Sequence, residues 1–77
     1  MKEQIISILT NLRPEFDFTQ EGVDFIEEGM LDSFDVVNLV SDLDAAFGIS
    51  IDGVDILPEN FASVENIAQL LKKNGAK

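Results

Sequence analysis

Ile5, Ile8, Leu9 and Leu12 stand at i, i+3, i+4 and i+7, and this spacing predicts an amphipathic helix over about residues 2–12. Ile6 widens the apolar face. Pro14 disfavours helical backbone at Arg13 and stops the helix there. The period returns between Asp32 and Phe47, where Val36, Leu39, Val40, Leu43 and Phe47 gather on one side and predict a helix over about 32–47. Asp32 is a good N-cap, and Asp35 three residues later comes close to a capping-box pattern. Gly48 sits where a left-handed cap ends a helix. A third stripe, Val64, Ile67, Leu70 and Leu71, follows Ser63 as N-cap and predicts a helix over about 64–73. Lys72 and Lys73 close it at the negative end of the helix dipole.

The stretches between these stripes have no sustained period. Residues 13–31 form a long first loop, yet it carries Phe16, Phe18, Val23, Phe25, Ile26 and Leu31. A loop of that length inside a small domain must pack itself down, and these residues are its anchors, with one short turn around Gly22–Glu27. Ile49 and Ile51 alternate with Ser50 and Asp52, as either a short strand or an extended linker. Pro58 opens a single short helix over about 58–61. The sum is all-α: three main helices, one short helix and a long first loop in one domain spanning 1–77, a small helical bundle.

Charge narrows what such a bundle can do. The chain has 77 residues, with 15 acidic and 5 basic side chains and a formal net charge of −10. From Pro14 to Leu71 there is no cation, and every acid but Glu3 lies in that stretch. Nucleic acids and anionic membranes need Lys and Arg to neutralise their phosphates, so the natural partners are basic proteins. There is no Cys and no His. A disulfide framework, a thiolate metal site, a Cys nucleophile and a His base are thereby excluded. Asp52, Asp55 and Glu59 do not follow the spacing of a calcium loop. The apolar run Ile5–Leu9 is too short to span a bilayer and no cleavage site follows it, so with no Cys a cytoplasmic location is expected, and the chain is expected to be a monomer.

An α-helix advances about 100° per residue. On the central helix this places Asp35, Asn38 and Asp42 roughly opposite the core face. Ser33, Phe34, Val37, Ser41 and Asp44 share a third sector, in which Phe34 and Val37 are expected to be exposed within an acidic border, as on a docking surface. Ser33 has two readings: a solvated hydroxyl at a helix start, or a modified serine. The second draws on the free N–H groups and dipole of a helix N-terminus, which favour phosphate. A nucleophilic serine would need a base, and the chain offers no His.

Leu31-Asp32-Ser33-Phe34, followed by the helix from Asp35 to Phe47 and Gly48-Ile49, resembles the signature of acyl, peptidyl and D-alanyl carrier proteins. Leu57-Pro58-Glu59-Asn60-Phe61-Ala62-Ser63-Val64 is similar to the approach to the last helix of free-standing carriers. Asn38, Ser41 and Ala45 depart from fatty-acid carriers, as do Phe34 for Leu and Leu31 for a small residue. The Leu-Asp-Ser run looks more like D-alanyl and other aminoacyl or peptidyl carriers. The resemblance implies an antiparallel four-helix bundle without catalytic activity of its own. It implies 4′-phosphopantetheine, taken from coenzyme A and attached to Ser33 beside Asp32, with a thioester-linked acyl or aminoacyl cargo for fatty-acid, polyketide, peptide or D-alanyl-type biosynthesis. The implied partners are a phosphopantetheinyl transferase, a loading ligase, and downstream synthases or transferases with basic patches. Phe34, Asp35, Val37, Asp42 and Asp44 would meet them, with Asp32 adding its charge. Leu39, Leu43, Phe47, Ile56 and Ile67 would line either a cavity for a long acyl chain or a plain packed core. The alternative function is an unmodified acidic module, an adaptor or inhibitor of a basic protein.

Overall fold

The computed structural model describes residues 1–76, and Lys77 lies outside them. In chain order the elements are α1 (Lys2–Leu12), α2 (Ser33–Phe47), a 3₁₀ turn at Gly53–Asp55, a second at Pro58–Phe61, and α3 (Val64–Lys73). The protein is all-helical, with no strand among the described residues. The expected short helix at 58–61 is a 3₁₀ turn and not an α-helix, so the described residues form three α-helices. Pro58 stands at its first positions, where its missing N–H does no harm. Residues 49–52 are an extended linker and form no strand.

The core is assembled from the predicted stripes. Ile5 and Leu9 of α1, Val36, Leu39 and Leu43 of α2, and Ile67, Leu70 and Leu71 of α3 are buried together. Both α2 and α3 pack on α1, and α3 also packs on the Pro58–Phe61 turn. Leu39, Leu43 and Ile67 have no accessible surface, and Phe47 and Ile56 pack against the cluster half-buried. Two surface clefts lie elsewhere. One, of about 540 Å³, is lined by residues that include Lys2, Ile6, Phe18, Val23, Phe25 and Val64. The other lies between Asp55, Asn60, Gln69 and Lys73.

The first loop is held by its aromatic side chains and by one backbone bond. Phe16, Phe18 and Phe25 stack edge-on, with ring centres 6.4 Å and then 5.0 Å apart. The Phe25 N–H donates to the Ala62 carbonyl at 2.8 Å, and the Phe25 carbonyl accepts from Met30 and Leu31. Asp24 starts the turn by accepting from the N–H groups of Ile26 and Glu27. The turn therefore runs over Asp24–Met30, a few residues later than Gly22–Glu27, because Asp24 is its cap. It closes at Gly29, whose φ of 73° suits a residue without a Cβ.

At the other end of the molecule α3 straps the chain that follows α2. Asp55 is buried and accepts from Lys73 Nζ at 2.7 Å. The Asn74 side chain accepts from the Asp52 N–H at 3.0 Å. Asp44 Oδ1 accepts from the Ile51 N–H at 3.0 Å, just after Gly48 turns the backbone at φ 64°.

Candidate functional site

The site is the first turn of α2. Its N-terminus is built by two aspartates in a complete capping box. Asp32 accepts from the Asp35 N–H at 2.9 Å, and Asp35 Oδ2 accepts from the Asp32 N–H at 3.0 Å. Ser33 is the first helical residue and is exposed. Its hydroxyl is not needed as a cap, because Asp32 already serves. Ser63, the other serine at a helix start, differs in this respect: it is half-buried and its Oγ accepts from the Asn66 N–H at 3.1 Å. The opening N–H groups of a helix have no intrahelical acceptor, so an anion attached through Ser33 would meet free donors and the positive end of the dipole.

Phe34 and Val37 lie in the open beside Ser33 in sequence, with 79% and 65% of their surface accessible. Asp42 is exposed one turn further along. These three are exposed. Asp35 is not, and the expectation that it meets a partner is corrected. It is 7% accessible and carries an ion pair with Arg13, whose Nε and Nη2 reach Oδ2 at 2.9 and 2.8 Å. The helical wheel places Asp35 away from the core of its own helix, but the end of α1 covers that flank. Asp44 is also corrected in part: it is half-buried and one of its oxygens holds Ile51.

Residue spacing did not reveal two further features. Val54 and Leu57 are exposed large apolar residues, 75% and 43% accessible, in and after the first 3₁₀ turn. They lie outside any periodic segment, so no stripe marks them. The other is Arg13. Besides Asp35 it approaches Asp32 at 3.5 Å and Glu15 at 3.4 Å. Its signal was its isolation, as the one arginine at the edge of a long stretch without cations.

Burial pushes the Asp35 carboxyl up, but the hydrogen bonds from Arg13 and Asp32 and the charge of Arg13 outweigh it. The net shift is below the usual carboxylate range. Asp55, held by Lys73, and Glu65, held by Lys2, are lowered as well. A carboxyl lowered on folding adds stability above its unfolded value and loses it as pH falls through the folded one. Stability is therefore expected to decline on acidification below about pH 4. Asp35→Asn should start less stable at pH 7 and show a shallower decline. Thermal midpoints between pH 7 and pH 2 would check this, and a variant with the full wild-type slope would exclude Asp35 as a contributor.

Among the described residues there is no grouping of carboxylates that could hold a metal ion, and no helix is long and apolar enough to cross a membrane. Comparison with known proteins gives the site a context. The family model described as a phosphopantetheine attachment site matches residues 4–71. The D-alanyl carrier protein of Lactococcus lactis subsp. cremoris (strain MG1363) is 33% identical over 69 residues, covering 88% of this chain and 87% of its own length. That of Lactococcus lactis subsp. lactis (strain IL1403) matches to the same extent. The D-alanyl carrier protein of Leuconostoc mesenteroides subsp. mesenteroides is 43% identical over 49 residues, 64% of this chain and 63% of its own.

Proposed function

The chain belongs to the family of phosphopantetheine-binding carrier proteins, and from that premise we propose that Ser33 is its attachment site and an aminoacyl group its cargo. Proteins of this family carry covalently attached 4′-phosphopantetheine and are carriers, not enzymes. The residues present fit the group: an exposed primary hydroxyl, freed from capping by Asp32, opens a helix whose first N–H donors could meet an attached phosphate. When attached, the group supplies the thiol that this Cys-free chain lacks. Asp32 and Asp35 fix the helix start that presents Ser33.

One observation carries the choice of residue: of the two serines at helix starts, Ser63 is engaged as a cap and Ser33 is not. The cargo follows from the relatives and the core. The relatives are named D-alanyl carrier proteins. Leu39, Leu43 and Ile67 are closely packed, and neither surface cleft opens onto them. A small polar group that stays at the surface suits this interior better than a long acyl chain. We read the Pro58–Phe61 turn as standing in for the short helix of the four-helix carrier arrangement. The partners are a phosphopantetheinyl transferase and a D-alanine-activating ligase. Their basic patches would meet Phe34, Val37 and Asp42, with charge acting mainly on the rate of encounter.

The test is intact mass before and after incubation with coenzyme A and a broad-specificity phosphopantetheinyl transferase. A gain of one phosphopantetheine, mapped to the Ser33 peptide, is expected. Further incubation with ATP, D-alanine and the ligase of a D-alanyl carrier system should then add one alanyl group, removable by hydroxylamine. Modification without alanylation would refute the cargo. No modification beside a working positive control would refute the attachment site.

A further inference from the structure

Arg13 is a cation built into the junction between the first loop and α2. It does not touch the Ser33 hydroxyl. It acts on the same carboxylate oxygen that caps the helix: Asp35 Oδ2 accepts from Arg13 Nε at 2.9 Å and from the Asp32 N–H at 3.0 Å, with Arg13 Nη2 in ion-pair contact at 2.8 Å. Two hydrogen bonds and one ion-pair contact fix one oxygen. That oxygen fixes the Asp32 backbone, and Asp32 in turn receives the Asp35 N–H. The residue next to Asp32 is Ser33.

We propose that Arg13 is a positioning residue for modification of Ser33, acting through the Asp35 carboxylate to hold the Asp32–Ser33 peptide in the conformation a transferase accepts. This rests on Ser33 being the attachment site. The physical need is specific. In a chain of net charge −10, Asp32, Asp35 and Glu15 would otherwise crowd one corner with no counter-charge. Asp35 is buried, so without Arg13 it must either protonate or swing out to water. Swinging out removes the Asp35 half of the capping box, so the Asp32 N–H loses its acceptor and the first turn frays more readily. A serine on a frayed turn reaches the attacking geometry in only a fraction of encounters, and small misplacements of a reacting atom are costly in rate. Arg is suited to this contact because two of its nitrogens converge on the same oxygen, which a single ammonium cannot do.

The geometry sets the test. Phosphopantetheine transfer by one transferase is measured on the full chain for the wild type, Arg13→Gln, Arg13→Lys, Asp35→Asn, the Arg13→Gln/Asp35→Asn double variant, and Ser33→Ala. Temperatures are kept well below each thermal midpoint, and amide hydrogen exchange is read alongside. Arg13→Gln is expected to lower kcat/KM about tenfold and to speed exchange at the Asp32 and Asp35 amides while the Leu43 amide keeps its protection. The double variant should match Asp35→Asn, because removing either partner breaks the same contact. Arg13→Lys should recover part of the rate. It also serves as the readable variant if Arg13→Gln does not fold. Wild-type rates in the folded Arg13 variants, or additive losses in the double variant, would overturn the proposal. A Ser33→Ala protein that still gains the arm would instead overturn the attachment site itself, so the two failures are distinguishable.

Discussion

Phe25→Ala is expected to lower stability by about 3–5 kcal/mol, whereas Phe34→Ala leaves it unchanged within about 0.5 kcal/mol. The two rings are chemically identical and nine positions apart in sequence, and they sit in opposite environments. Phe25 is 1% accessible and Phe34 is 79% accessible. Removing a buried phenyl ring costs about 3–5 kcal/mol, from lost transfer energy and from the cavity left behind. Small domains have roughly 0.05–0.15 kcal/mol of stability per residue, so this one side chain accounts for at least about a quarter of what a chain of this length has. The ring of Phe25 also meets Phe18 edge-on, and its backbone joins the first loop to Ala62. Losing the ring therefore loosens the loop from the Pro58–Phe61 turn as well as emptying the core. Urea unfolding followed by far-UV circular dichroism would separate the two variants. A Phe25→Ala midpoint close to wild type would mean that the loop is not anchored by this residue. For Phe34→Ala the expected loss is in docking, as weaker association with the loading ligase.

The two phenylalanines also mark the limit of what spacing can reveal. The all-helical character is legible, because local rules write it: apolar residues at helical intervals, Asp32 and Ser63 at helix starts, Gly48 after an end. Phe34 falls outside its helix's core stripe, so its exposure is legible too. The first loop is different. Its apolar anchors have no period, and what holds Phe25 is a hydrogen bond to Ala62, thirty-seven positions away. No local pattern encodes such a pairing. Asp35 shows the same limit from the other side. A helical wheel treats one helix in isolation and turns Asp35 towards solvent. The end of α1 then brings Arg13 over it and makes it an internal group. Where a side chain's surroundings come from another element, single-helix geometry gives the angle but not the neighbour.

Ser33→Ala should remove phosphopantetheine acceptance completely while the fold persists. The physical basis is the division of labour at the start of α2. Asp32 holds the cap, so deleting the Ser33 hydroxyl breaks no cap, and alanine is the best helix former. Stability should stay within about 0.5 kcal/mol of wild type. The loss of modification should be absolute, because the phosphodiester needs an oxygen and alanine has none. Ser63→Ala is the control with the opposite signature. Its hydroxyl accepts from the Asn66 N–H, so the variant should lose about 1 kcal/mol of stability and still accept the arm. Intact mass after treatment with coenzyme A and transferase reads one effect, and urea midpoints read the other. Modification that survives in Ser33→Ala and vanishes in Ser63→Ala would reverse the assignment, and a hydroxyl engaged in capping would then be the reactive one. The capping geometry argues against that outcome, because a transferase would have to break the Ser63–Asn66 bond and open α3 before it could react. At Ser33 the hydroxyl is exposed, and the helix start that presents it is already closed by other groups.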